Sequence, residues 1–397
     1  MPPAPPHSPT HQRGWVVWLS VAQLITWGSV FYTFALLVAP VERELGLARA
    51  ESSLAFSLAL LAEGLLAYPV GRWIDQGHER AVMTGGSLLV ALALLLHSFV
   101  HGTLAFYAVW TLLGAGLAAT LYTPVFSVVT RRFPDDFRRA IITLTFLGGL
   151  ASTVFIPLSA WLIDAFGWRH ALWVLAALHL LVCAPLHAVL LRGAPGPRET
   201  PRQSAHSPRA LLRSAPFILI GVFVVVMMGI QAALPPHMIS LLRESGLSEA
   251  WVIAIPASVG ALQVVGRLLL YFFEHHFDLH RANRVIPCLV PLALAALLAG
   301  AAHPVAALVF VVLYGLGNGM ITIVKGTAIA YYVSREHVAS LNGALGFPAA
   351  VSRAVAPLLL GLLWMPQVGY RWGLAVLLVA AVLSVAALWA AQRRALA

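Results

Sequence analysis

The chain predicts an all-α integral membrane protein, with twelve transmembrane helices forming two six-helix bundles, on three observations. Hydrophobic residues make up 60% of the 397 positions and charged residues only 10%, too few charges to cover a soluble protein of this size. Apolar runs of roughly 20 residues, long enough to cross a bilayer, follow one another from end to end. The longest polar break, Gly193 to Pro208, falls near the middle.

The spans read at about 14–40, 52–74, 81–101, 103–130, 138–163 and 168–191 in the first half, and at about 211–240, 249–273, 283–302, 304–333, 338–363 and 370–391 in the second. Turn and charge signals such as Pro134-Asp135-Asp136 and Glu336-His337 divide them. The shortest division is His101-Gly102-Thr103, between spans three and four. The domain organisation is then a cytosolic tail over 1–13, an N-terminal bundle over 14–192, a Pro, Gly, Ser and Arg-rich cytosolic linker over 193–210, and a C-terminal bundle over 211–397 that ends in a short tail.

Net charge is +10, but the arginines punctuate apolar runs instead of forming one basic face, so nucleic acid is not an expected partner. With the N-terminus inside, cytosolic loops collect arginines such as Arg131, Arg132, Arg281 and Arg284, while the outer set is Arg43, Arg49, Arg169, Arg243 and Arg371. The bias of roughly three to one predicts cytosolic termini. Cys183 and Cys288 both fall in apolar segments, which indicates neither a disulfide framework nor a metal site. The Pro- and His-rich stretch Met1 to Arg13 lacks the apolar core of a signal peptide. Arginine used in place of lysine, with abundant Ala and Leu, points to a bacterial inner membrane.

Charges at bilayer depth are costly and face a cavity or a partner. Four residues qualify: Glu63 in span two, Arg267 in span eight, Lys325 in span ten and Arg353 in span eleven. Lys325 is the chain's one lysine. Tyr314, Asn318, Thr322 and Lys325 fall at steps of four, four and three, hence on one helical face. Lys325 either faces a central cavity or snorkels to headgroups. Glu63 and Arg353 either pair between the bundles or contact the solute, and Glu63 is also a candidate proton carrier. Arg267 is either a carboxylate ligand or an interfacial anchor. Ser20, Gln23, Trp27 and Phe31 on span one, Tyr122 on span four and Gln231 before Pro235-Pro236 on span seven could orient a small solute. His97, His179 and His187 lack metal-ligand spacing and read as structural.

The loop Gly71-Arg72-Trp73-Ile74-Asp75-Gln76-Gly77-His78-Glu79-Arg80 resembles the signature loop of the major facilitator superfamily, with Gln76 and His78 where an arginine and a second glycine are usual. Its Gly71 permits close helix approach, and Arg72, Asp75 and Arg80 would gate the cytosolic face. Thr123-Pro124 through Arg132-Phe133-Pro134, Gly167-Trp168-Arg169, and Trp27-Gly28 with Phe31-Tyr32 resemble the monocarboxylate-porter and oxalate/formate-antiporter branch. The resemblance implies the major facilitator fold, with spans two and eleven packed across the bundle interface and span ten lining the cavity. It also implies a secondary transporter working by alternating access.

Three intramembrane cations against one acid favour an organic, monocarboxylate-like anion as solute, with protons as a candidate coupling ion. The alternative is a multidrug or toxic-compound efflux antiporter that uses Glu63 for proton or cation coupling. No GxSxG, HExxH or GxxxxGK[ST] motif is present, so neither an enzyme nor an ATP-driven pump is expected. No cofactor is expected. The expected partners are a small solute and the lipid bilayer, and the chain is expected to act as a monomer.

Overall fold

The computed structural model describes residues 9–133, 137–193, 209–273, 279–300, 303–334 and 338–395. The linker expected over 193–210 lies almost wholly outside these residues, as do the loop signals at 134–136 and 336–337.

Ten helical runs among the described residues are long and apolar enough to cross a membrane. Two of them are double. Arg49–His97 turns at Gly77 (φ 91°), and Ala140–Leu190 turns at Gly167 (φ 77°). Both are left-handed positions that a side chain would strain. Ten runs plus these two divisions make twelve crossings. They are α1 Gly14–Leu45, α2 Arg49–Trp73, α3 Glu79–His97, α4 Thr103–Arg132, α5 over 140–166 and α6 over 168–190. The second half contributes α7 Ala215–Glu244, α8 Glu249–Phe273, α9 His280–Gly300, α10 Pro304–Tyr332, α11 Val338–Leu362 and α12 Arg371–Ala395. An even number of crossings returns the chain to the side on which it began. We call that side the termini face and the opposite one the distal face.

Each half packs around its own apolar core, and large hydrophobic side chains such as Leu104 and Leu181 stand on the outside. Such side chains are stable in contact with lipid tails, and helices alone satisfy the backbone there. The halves also share a packing device. A Cβ on Gly114 of α4 would lie 2.1 Å from the Ala59 carbonyl of α2, and one on Gly319 of α10 would lie 2.2 Å from the Gln263 carbonyl of α8. Second and fourth spans therefore cross backbone against backbone in both halves, where a small residue is indispensable. The halves meet along α2–α11, α5–α8 and α1–α7.

Candidate functional site: a cavity between the two bundles

The spans that border the bundle interface depart from regular helix where they face its centre. In α1, residues Trp27–Tyr32 form a wide π-turn in which the Gly28 carbonyl accepts both the Thr33 N–H (3.1 Å) and the Thr33 hydroxyl (2.9 Å). The extra residue re-aims the side chains that follow, and such turns recur at functional sites. α4 breaks at Leu121 (φ −79°, ψ −167°), ahead of Pro124. Proline cannot donate to the carbonyl four residues back, which is that of Thr120. α7 and α8 carry Pro235, Pro236 and Pro256 at similar depth.

These irregular stretches enclose a cavity of about 290 Å³ between the halves. Trp27, Phe31, Tyr32 and Tyr122 line it from the first half, and Met228, Gln231, Gln263, Arg267, Tyr314 and Asn318 from the second. Glu63 and Arg353 border it as well. The stripe expected on span ten is divided: Tyr314, Asn318 and Thr322 reach the cavity wall, whereas the Lys325 Nζ lies behind it and donates to the Gln231 Oε1 at 2.7 Å. Gln231 passes this contact on, its amide N–H donating to the Asn318 Oδ1.

Glu63 and Arg353 are brought together across the interface at 2.9 and 3.3 Å. Arg267 is held differently. Its guanidinium lies 3.3 Å from where a Cβ on Gly149 would stand, and it donates to the Thr145 carbonyl at 2.5 Å, beside the end of a helical segment of α5 at Gly149. Carbonyls at a helix end carry partial negative charge, which steadies a cation without neutralising it. Among the described residues neither Arg267 nor Lys325 forms an ion pair. The cavity thus borders one neutralised pair and one cation held by a neutral carbonyl, Arg267, while a second cation, Lys325, is held by a neutral amide behind its wall.

Gln23 does not belong with the cavity residues. It is fully buried in the first bundle, and its side-chain N–H donates to the Thr120 carbonyl at 2.5 Å, the acceptor that Pro124 leaves without its helical donor. Ser20 is likewise internal, bonded to the Val16 carbonyl. His179 and His187 are fully buried against Ser29 and Ser87. The signature loop is also organised otherwise than its residues suggest. Asp75 is exposed and only 3.9 Å from Arg131, Arg72 is exposed, and Gly71 has no neighbour within 4 Å of a notional Cβ. Arg80 donates to the Ala188 carbonyl at 2.8 Å. The buried carboxylate of the loop is Glu79, 2.5 Å from Arg132 and 3.9 Å from Arg131. No sequence motif singled it out.

The ends of the interface differ. At the distal face Arg49 lies 2.8 Å from Glu42 and 3.2 Å from Glu244, over the Trp364 ring at 5.2 Å, and donates to the Tyr370 hydroxyl. His237 Nε2 is 2.9 Å from the Pro357 carbonyl, which can only accept, so Nδ1 accepts from the Tyr370 O–H at 3.1 Å. Ser53 packs where a Cβ on Gly361 would stand. The first span meets α7 along its distal segment Phe34–Leu45, and α5 meets α8 mainly from Ala151 onward, so contact between these helices lies toward the distal face. The cavity is sealed distally and opens toward the termini.

Twelve crossings in two similar bundles, with a polar cavity at their seam that is shut at one end, define a membrane carrier for small solutes. The chain belongs to the Major Facilitator Superfamily, whose family model matches residues 19–286. Over 204 residues it is 32% identical to monocarboxylate transporter 13 of Bos taurus, a stretch that covers 48% of this chain and 45% of that protein. It is 35% identical to monocarboxylate transporter 11 of Mus musculus over 157 residues, covering 36% and 34%. The chain spans under half the length of the curated relatives it matches. A solved bacterial homolog of the human lysosomal transporter Spinster, in an inward-facing and unoccupied conformation, superposes with a TM-score of 0.75 at 15% identity over 98% of each chain. The nucleoside transporter NupG superposes with a TM-score of 0.66 at 17% identity, covering 96% of this chain and 98% of that one. At these identities the likeness concerns the fold.

Proposed function

We propose that the chain carries a small organic anion, monocarboxylate-like, across a bacterial inner membrane by alternating access. The termini face is cytosolic in this reading, so the state described above is inward-facing. The carrying observation is the charge balance of the cavity. Its acid, Glu63, is neutralised by Arg353, while Arg267 and Lys325 meet only a carbonyl and an amide. Two cations at low dielectric strongly favour an anionic guest and repel a cationic one. The names of the curated relatives support the same solute class, and the arginine bias supports the orientation.

Within this reading Arg267 is the carboxylate ligand, because its guanidinium has five donors and one is engaged by Thr145. Lys325 holds the Gln231–Asn318 pair and adds long-range attraction. Glu63–Arg353 is the interdomain switch, and a proton taken by Glu63 would release Arg353 and couple flux to the proton gradient. The test is uptake of radiolabelled carboxylates into proteoliposomes under an imposed pH gradient. Arg267→Gln should lower carboxylate affinity about a hundredfold, the worth of a charge-assisted contact. Unaltered carboxylate transport by Arg267→Gln, or transport of lipophilic cations alone, would overturn the reading.

A further inference from the structure

The lining of the cavity is uneven. On the first-half side four aromatic rings adjoin one another. Trp27 lies 5.1 Å from Phe31 and 5.1 Å from Tyr122, and Tyr122 stacks on Phe126 at 5.2 Å. Tyr122 reaches this position because Gly148 has no side chain: a Cβ there would lie 2.4 Å from the phenol oxygen. The second-half wall carries two flexible apolar side chains, Met228 and Met238, among the amides Gln231, Gln263 and Asn318. Thioether side chains adapt to a flat ring and contact it favourably.

Two buried donors at this cavity have no hydrogen-bond partner, the Trp27 Nε1 and the Tyr314 hydroxyl. A buried donor left unpaired is costly, but both atoms are closed off from the open space, so neither meets a solute in this state. The phenols of Tyr32 and Tyr122 lie in the field of Arg267. Arg267 therefore stands beside two phenols at a cavity that carries Gln231, Gln263, Asn318 and Thr322 along with its ring and aliphatic surface.

We propose that the solute is an aryl monocarboxylate, one aromatic ring bearing a carboxylate through a short linker. Its ring lies between the Trp27–Tyr122 wall and the methionines, and its carboxylate meets Arg267. This rests on the anion-carrier reading above and narrows its substrate class. A short aliphatic acid would leave the aromatic wall without a partner. A cavity of about 290 Å³ stands at the small end of ligand sites, roughly 300–1,000 Å³. That suits one ring and not a polycyclic solute.

The test is thermal melting of the purified full chain, together with counterflow in proteoliposomes, using phenylacetate, acetate, lactate and tetraphenylphosphonium. Phenylacetate should bind about a hundredfold more tightly than acetate or lactate, the expected worth of burying a phenyl group. Trp27→Leu should narrow that preference about tenfold and Trp27→Phe should restore most of it. Unliganded melting of each variant shows whether it folds. Equal binding of acetate and phenylacetate, or a preference untouched by Trp27→Leu in a folded variant, overturns the aryl proposal and leaves the anion carrier standing. Binding of tetraphenylphosphonium alone, or of no carboxylate at all, overturns both.

Discussion

The distal seal and the central cavity use the same residue types to opposite ends. At the seal, Arg49 lies near two carboxylates, an aromatic ring and a phenol. At the cavity Arg267 is held by a carbonyl and, behind the cavity wall, Lys325 by an amide. A cation whose charge is cancelled stabilises one arrangement of the halves, whereas a cation held by neutral dipoles keeps its charge available. Glu63–Arg353 stands between these cases, an ion pair located at the cavity edge but joining the halves.

The largest effects, the roughly hundredfold loss of affinity expected of Arg267→Gln and the loss of uptake expected of Lys325→Ala, should separate the two cations held by neutral groups from the pair. Lys325→Ala should abolish carboxylate uptake, with a fall of tenfold or more expected from losing a charged contact, while melting of the purified protein stays near that of the parent. Lys325→Arg should not restore full rate, because an ammonium and a guanidinium differ in shape and reach. Full uptake by Lys325→Ala would move that residue out of the site and into the class of structural cations.

Glu63→Gln should weaken folding more than transport. It leaves Arg353 without its partner at partial burial, and removing one member of a buried pair costs about 3–5 kcal/mol, less where water reaches the side chain as it does at Arg353. The double variant Glu63→Gln, Arg353→Gln should recover most of the melting temperature. The flux of this double variant should no longer respond to an imposed pH gradient. A gradient response equal to the parent's would remove the pair from proton coupling.

How much of this is legible in the sequence depends on whether a residue's surroundings are local. Lys325 stands out because a lone lysine inside an apolar run has no local partner, and the division of α2 from α3 shows in charges flanking Gly77. Gln23 is indistinguishable by pattern from Trp27, four residues on. What separates them is the π-turn at Trp27–Tyr32 and a carbonyl at Thr120, made an acceptor by a proline in another span. The seal is illegible in the sequence for a related reason. Arg49, Glu244 and Tyr370 each sit at a span end, where charged and phenolic groups are ordinary, and only the closure of the fold sets them against one another. Glu79 is hidden in the same way among the basic residues of its loop.

That difference between Gln23 and the cavity amides can be measured. Gln23→Leu leaves the Thr120 carbonyl without a donor, a loss of about 1–3 kcal/mol for a buried polar group, so melting should fall. The KM for carboxylate should stay at the parent's value, because the change lies inside one bundle. Gln231→Leu should do the reverse and raise KM, since it frees Lys325 and Asn318 at the cavity wall. If Gln23→Leu altered KM as strongly as Gln231→Leu, the boundary drawn between bundle interior and cavity would be in the wrong place.

The smallest effect is expected at the seal, and its size tests whether charge cancellation there holds the state seen. Tyr370→Phe removes one hydroxyl, which accepts from Arg49 and donates to His237. Two hydrogen bonds are lost, but Arg49 keeps Glu42 and Glu244 within 3.2 Å, so the net change should be near 1 kcal/mol. A shift of that size changes a two-state population about fivefold. It should appear as faster modification of a cysteine at Ala35, which lines the cavity, by a membrane-impermeant reagent added from the distal side. Solute binding that requires the distal side to open would be correspondingly easier in the variant. A labelling rate unchanged by Tyr370→Phe but raised by Arg49→Gln would assign the latch to the carboxylates alone. The His237–Tyr370 chain would then serve only to fill the space between α7 and the start of α12.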